Sequence, residues 1–313
     1  MAKMINHTKV TEFLLLGLSD DPSVQTLVAV FFLLAYLAAL LGNGLISFLI
    51  TCDPHLHAPM YFLLKNLSFI DLCFISTTVP NFVLNSLTGR DIISFMGCIF
   101  QVFLFISFAS AEMAILTVMS YDRYVAICHP LHYEVIMHRA VCVKMAVAVY
   151  LSAGLSGTMH TIATFSTGFS SNEIHCFFCD IPQLLLISEP KVNITEMSVT
   201  VLTASTSLIC FVCILYSYVH IFSAVLRVSS KDGRSKALST CLPHLAVVTL
   251  FISTGAVAYL KPTSDQLSTA DIILSVFYNV VPPSMNPIIY SLRNKDLKMS
   301  LGKMLGIIAF KST

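Results

Sequence analysis

The chain has 313 residues, 56% of them hydrophobic and 11% charged, with a formal net charge of +1 and a mean hydropathy of +0.81. Soluble domains carry about 25% charged residues, so this chain cannot cover a globular surface with solvated groups. That excludes a soluble enzyme, a disordered protein and a nucleic-acid binder; the length fits about seven or eight membrane spans of roughly 20 residues with their loops.

In chain order, the apolar run Phe13–Leu18 is too short for a signal-peptide core and lacks a small-residue cleavage site. The first span therefore has to act as its own targeting signal. Seven apolar windows follow: Leu27–Ile50, Tyr61–Val83, Cys98–Met119, Val141–Phe165, Val199–Val225, Leu238–Leu260 and Ile272–Tyr290. Each can cross a hydrocarbon core of about 30 Å as a helix rising 1.5 Å per residue. Membrane strands would read as alternating segments of about ten residues, which these are not. Pro80, Pro243 and Pro287 are expected at span ends. The fold class is an all-α membrane protein, a seven-helix bundle forming one domain over 1–313. Residues 1–23 precede the bundle, 24–293 form it, and 294–313 follow it. The connection Ser166–Ser198 is long for a compact fold, which predicts a functional loop. After the last span, Leu297, Leu301, Met304 and Leu305 recur at helical spacing among lysines, predicting a short amphipathic helix on the membrane surface.

Basic residues set the orientation. With the N-terminus outside, thirteen of the 18 Lys and Arg fall on the cytoplasmic side, Arg123, Arg227, Arg293 and Lys303 among them. Lys3, Lys9, Arg90, Lys191 and Lys261 fall outside. That asymmetry is the positive-inside pattern of a multi-pass protein in the lipid bilayer. Asn6-His7-Thr8 is then an outward glycosylation sequon. Asn193-Ile194-Thr195 is also outward but close to the fifth span, and Asn66-Leu67-Ser68 falls within the second.

Two acids lie at membrane depth, Asp71 in span two and Glu112 in span three. Such groups cost several kcal/mol and mark function by default. They repel unless one holds a proton or a cation sits between them. Asn43 and Asn286 supply further oxygens, so two readings stand: a sodium-type site, or a protonated, hydrogen-bonded packing cluster. No other cofactor is expected. Phe105, Ala109 and Glu112 share one face of span three, which points it into the bundle. Asp122-Arg123-Tyr124 closes that span, and the Asp can hold the guanidinium in one geometry. Of ten cysteines, Cys98, Cys176 and Cys179 face the oxidising side, permitting one disulfide and one remaining thiol. His175 with Cys176 and Cys179 offers too few ligands for a metal. His160 and His220 stand in spans with no carboxylate partner and are expected to be packing residues.

These residues also resemble a family across nearly the whole chain. Gly42-Asn43, Leu56-His57-Ala58-Pro59-Met60-Tyr61-Phe62, the run Met119–Leu131 around Asp122-Arg123-Tyr124, Ser217-Tyr218, Lys236–Cys241 with His244, and Pro287–Asn294 carry it. The chain is similar to vertebrate olfactory receptors of the tetrapod type (class II), which are rhodopsin-like G-protein-coupled receptors. The resemblance implies a receptor, not an enzyme. It would bind a small neutral volatile within the bundle and raise cyclic AMP through a stimulatory, olfactory-type heterotrimeric G protein. It also implies trafficking chaperones as partners and the plasma membrane of olfactory cilia as the location. It implies a disulfide between Cys98 and Cys179, and a pocket drawing on Phe105, Ile106, Ala109 and Ser110. Leu202, Thr203 and Thr206 would add span five, Ile252, Gly255 and Tyr259 span six, and Asn279 span seven. Asp122, Arg123, Tyr124, Tyr218 and Tyr290 would form the activation switch. Two departures stand out: the family's second loop disulfide would need cysteines where Phe169 and Glu189 stand, and Ile252 replaces a usual aromatic. The alternatives are use of a related receptor outside the olfactory epithelium, or a transporter or channel. The odd span count and the lack of inverted repeats oppose the latter.

Overall fold

A computed structural model describes residues 10–16, 21–189, 193–227, 230–260, 269–304 and 306. Within these, the side chains at 231–234, 236–237, 239–240, 254–260, 269–276, 291–293 and 295 lie outside the description. Asn6 also lies outside the described residues.

A short strand β1 (Glu12–Leu15) precedes helix α1 (Pro22–Cys52). Asp21 caps α1, accepting the Ser23 N–H, and Pro22 opens it with its φ already helical. Helix α2 (Pro59–Thr88) starts on Pro59 and stops at Gly89, whose φ of 63° is the left-handed conformation that ends a helix without a Cβ penalty. Strand β2 (Ile92–Ser94) leads into α3 (Phe95–Cys128), capped by the Ser94 hydroxyl. A one-turn helix α4 (Tyr133–Ile136) precedes α5 (Arg139–Phe165). The long loop carries β3 (Gly168–Phe169), β4 (Glu173–Ile174), α6 (Ile181–Leu186) and β5 (Ser188–Glu189). Helices α7 (Ile194–Arg227), α8 (Lys231–Leu260), α9 (Thr269–Arg293) and α10 (Lys295–Met304) complete the chain. The seven expected windows thus lie on α1, α2, α3, α5, α7, α8 and α9. Five of these, α1, α2, α3, α5 and α7, are long and apolar enough to cross a membrane among the described residues. Their outward faces are apolar, as lipid requires: Leu27 and Leu41 are 70% and 73% exposed.

The helices overrun the apolar windows, so the prolines expected at span ends lie inside helices: Pro80 in α2, Pro243 in α8, and Pro287, with Pro282 and Pro283, in α9. Pro287 has no N–H for the carbonyl four residues back. That carbonyl, on Pro283, instead accepts from Asn43 Nδ2 at 2.9 Å. Gly42 makes this approach feasible, because a Cβ there would meet Pro287 Cγ at 2.9 Å. The Gly42-Asn43 pair and Pro287 are therefore one joint between α1 and α9.

Helix α3 packs against α2, α5, α7 and α8 and forms the axis of the bundle. Two cores flank it: an inner one including Leu67, Ile115, Leu116 and Tyr218, and an outer aromatic one including Phe13, Phe32, Phe105, Phe177 and Phe178. Above the outer core lies a small sheet in the order β2-β1-β4, with β1 antiparallel to β2 and parallel to β4. Cys98 and Cys179 form the disulfide the family resemblance implied. Where the second loop disulfide would stand, β3 pairs with β5, Gly168 opposite Glu189 and Phe169 opposite Ser188. Phe169 also packs on Phe13, Phe95 and Phe165. Ring packing and a two-rung ladder hold this loop in place of a covalent bond.

Candidate functional site

The inner end of α3 carries the first cluster. Arg123 meets Asp122 at 3.2 Å, and Asp122 also accepts the Tyr133 hydroxyl at 2.7 Å. Burial and Asp122 together raise the Tyr133 phenol above its ordinary pKa, so it remains a donor. Tyr218 and His244 are linked at 2.7 Å, and His244 Nε2–H donates to the Leu116 carbonyl at 2.9 Å. A carbonyl only accepts, so with Nε2–H donating, Nδ1 of neutral His244 accepts the hydrogen bond from the Tyr218 hydroxyl. Tyr290 is buried, and its hydroxyl has no partner among the described residues. Tyr124 stands apart, bonded to His129 Nε2 at 3.1 Å and packed near His220.

Half-way up the bundle, Asp71 and Glu112 come together on Asn286, both fully buried. Asn286 Nδ2 donates to both Asp71 oxygens at 3.0 Å and to Glu112 Oε1 at 3.2 Å. Asn43 faces away, bonding the Ala39 and Pro283 carbonyls. Glu112 Oε2, Asn286 Oδ1 and Asn43 Oδ1 are buried without a hydrogen-bond partner among the described residues. Unpartnered buried oxygens on and beside two carboxylates are the donor set a hard monovalent cation takes.

The outer half holds the expected pocket residues, unevenly. Phe105 and Ile106 are buried, and Phe105 sits among Phe74, Phe178 and Tyr278 with ring centroids 4.9, 5.3 and 6.2 Å away. Ala109 and Ser110 are half-buried, and Ser110 donates to Ser156 on α5 at 3.2 Å. Asn279 is buried and accepts the Thr78 hydroxyl at 2.7 Å. Ile252 is half-buried, while the side chains of Gly255 and Tyr259 lie outside the described residues. On α7 the buried stripe runs through Glu196, Val199, Ile214 and Tyr218. Thr203 borders that stripe, whereas Leu202 and Thr206 are exposed, with the Thr206 hydroxyl turned back to the Leu202 carbonyl.

One cluster corrects the sequence reading. His160 has a carboxylate partner: its Nδ1 lies 2.6 Å from Glu196 Oε1, and its Nε2 lies 3.0 Å from Thr203. Glu196 is fully buried, so a carboxyl group lies between α5 and α7. The cause is the start of α7, five residues before the apolar window Val199–Val225. Asn193 accepts the Glu196 N–H at 3.0 Å and donates to the Ala163 carbonyl at 2.8 Å. That is half a capping box, and the spacing Asn193-x-x-Glu196 was its signal in the sequence. The same bonds bury the Asn193 amide in the folded chain. Asn66 is likewise engaged, bonded to Tyr150 at 3.1 Å.

The roof was also missed. Asp180, next to the disulfide, accepts the Tyr278 hydroxyl at 3.1 Å and so ties the long loop to α9. Burial pushes its carboxyl up to about 6, against the Tyr278 and Ile181 hydrogen bonds that lower it. Gln101 donates to the Thr77 carbonyl and accepts the Cys179 N–H at 2.8 Å, fixing the disulfide over α2 and α3. Cys176 is buried beside it.

Comparison with known proteins bears on this arrangement. A family model described as olfactory receptor matches residues 32–307. Human olfactory receptor 14A16 is 54% identical over 303 residues, covering 96% of this chain and 98% of the relative. Human olfactory receptors 14J1 and 1C1 are 52% and 46% identical, each covering 96% of this chain and respectively 94% and 96% of the relative. The crystal structure of squid rhodopsin superposes with a TM-score of 0.71 at 16% identity, covering 92% of this chain and 87% of that one, which shows the shared fold. A seven-helix bundle with Asp122-Arg123 at its inner end and relatives of this identity over almost its full length is a multi-pass membrane receptor, and the chain belongs to the olfactory receptor family of G-protein-coupled receptors.

Proposed function

We propose that this receptor binds small neutral volatiles in the outer half of the bundle and activates a stimulatory-type heterotrimeric G protein, raising cyclic AMP. The observation that carries this reading is the inner cluster. Arg123 is held by Asp122, which Tyr133 also holds, a resting arrangement that can open to release the guanidinium. A ligand drives that opening only by binding the open state better than the closed one. Among the described residues, Glu196 is already paired with His160, and Asp180 accepts from the Tyr278 hydroxyl. An anionic ligand would therefore lie buried with no free counter-ion, at a cost of several kcal/mol. Few ligand atoms imply modest affinity, on the order of micromolar. The unpartnered oxygens beside Asp71, Glu112 and Asn286 fit a sodium ion, which would supply positive charge between two acids. The basic inner side supports an outward N-terminus and a plasma-membrane location, with Asn6 glycosylated and trafficking chaperones assisting export to cilia. The test is cyclic AMP in cells exposed to a volatile panel, with surface labelling in parallel. Arg123→Ala should abolish every response while the receptor stays on the surface; full signalling by that variant would overturn the reading.

A further inference from the structure

A groove opens where the inner end of α1 meets α10, apart from the inner switch, the acid centre and the expected pocket residues. Phe48, Leu49 and Cys52 line it from α1, and Ser300, Lys303 and Met304 from α10. Spacings of i, i+1, i+4 and of i, i+3, i+4 each place three side chains on one helix face, so two faces meet across the gap. Its volume is about 310 Å³, at the lower end of the roughly 300–1,000 Å³ that ligand clefts span. Its apolar walls are open: Phe48 is 53% and Met304 45% exposed. Phe48 stands one turn before the end of α1, a helix long and apolar enough to cross a membrane. The groove therefore opens at the margin of the lipid.

The charged groups on its lining are unequally matched. Asp53 is engaged: it accepts the His55 N–H at 3.0 Å, lies 2.9 Å from His55 Nδ1 and takes the Ser300 hydroxyl. Lys303 has no ion pair and no hydrogen bond to any described residue. An unmatched ammonium thus stands beside an apolar wall at a bilayer margin. A soluble anion would match the ammonium and leave the wall against water. A sterol would cover the wall and leave the ammonium unmatched. A phospholipid supplies both parts, and the volume holds a headgroup with the adjoining segment of one chain. Lipid tails of any kind cover such a wall, so the headgroup decides occupancy. Because Asp53 is spent on His55 and Ser300, the free charge of the site is positive, which favours a headgroup of net negative charge. We propose that this groove binds an anionic glycerophospholipid of the adjoining leaflet, its phosphate on Lys303 and one acyl chain along Phe48, Leu49 and Met304. A lipid seated there bridges α1 and α10.

The experiment uses the full receptor, purified in a non-ionic detergent and followed by native mass spectrometry. The probes are phosphatidylserine, phosphatidylcholine and diacylglycerol with identical chains. One lysine at an anionic lipid surface implies about a fivefold preference. Phosphatidylserine should therefore bind about fivefold more tightly than phosphatidylcholine, and diacylglycerol more weakly than either. Lys303→Gln should remove the preference, and Lys303→Arg should keep it. Lys298→Gln lies on the same helix outside the lining of the groove; it removes the same charge and should leave the preference intact. Position is read from two exposed thiols, Cys52 in the groove and Cys213 on α7. Phosphatidylserine should slow maleimide labelling of Cys52 in the wild type, not in Lys303→Gln, and should leave Cys213 unaffected. Equal binding of phosphatidylserine and phosphatidylcholine, an unchanged preference in Lys303→Gln, an equal loss in Lys298→Gln, or equal shielding of both thiols overturns the inference. None of these readouts involves an odorant or a G protein, so the result stands apart from the fate of the proposed function.

Discussion

Gly157 sets how closely α5 approaches α3. A Cβ at that position would lie 2.7 Å from the Phe103 carbonyl oxygen and closer still to Ser107 Oγ. Backbone cannot yield as a flexible side chain does, so Gly157→Ala should cost about 1–3 kcal/mol through overpacking. Thermal unfolding of the detergent-solubilised protein checks this, and an unchanged midpoint would mean that the two helices separate freely. The acid centre makes a different prediction. Asp71→Asn keeps the shape but removes one of the two acids beside the unpartnered oxygens, so sodium dependence of signalling should fall while surface level holds. Equal sodium titrations of variant and wild type would reduce the centre to packing. Asp71, Glu112 and Asn286 were legible in the sequence because an ionisable or amide group in an apolar run has no lipid-compatible alternative to an inward position. Glu196 was not legible in the same way. It lies just before an apolar window, where a carboxylate ordinarily meets water, and only the Asn193 cap places it inside the helix.

Among elements, the long outer loop departs furthest from what the sequence indicated. Its tie to α9 is the Asp180–Tyr278 bond, and Asp180 carries a pH signature. Its folded pKa, about 6, lies above the ordinary 3.8 because burial disfavours the charge. The folded chain therefore binds a proton that the unfolded chain has released. The stability this confers is present below about 3.8 and is lost as pH rises through about 6. Asp180→Asn removes that dependence. On acidification from pH 7.5 to 5, wild type should gain unfolding temperature relative to the variant, and parallel profiles would refute the assignment. Helices were readable from apolar windows, although their ends were not, because caps such as Asp21, Ser94 and Asn193 lie outside the hydrophobic signal. Strands β1 to β5 were unreadable. Elements of two to four residues whose partners are remote in sequence leave no local periodicity.

At the scale of the whole molecule, seven apolar windows and a charge asymmetry were enough to outline the bundle, since lipid permits few other solutions. How the outer surface closes over the bundle was not legible, because that depends on contacts between distant segments. The Cys98–Cys179 bridge spans a sequence separation of 81 and in the chain-entropy model stabilises the fold by about 4.5 kcal/mol. Cys98→Ser and Cys179→Ser should therefore lose surface receptor equally, and the double variant should be no worse than either. Additive losses by flow cytometry would show separate roles. The order β2-β1-β4 has a consequence for biogenesis. Phe13 is fully buried in the finished receptor, yet β1 precedes its partner β4 by roughly 160 residues. At about 5–20 residues per second that is an interval of roughly 8–32 s. β2 can cover one edge of β1 after about half of that interval, but the edge that β4 takes stays unpaired for all of it. The outer face of the bundle is therefore closed only when a segment made after the fourth apolar window returns to the first strand of the chain, so its assembly waits on that late segment.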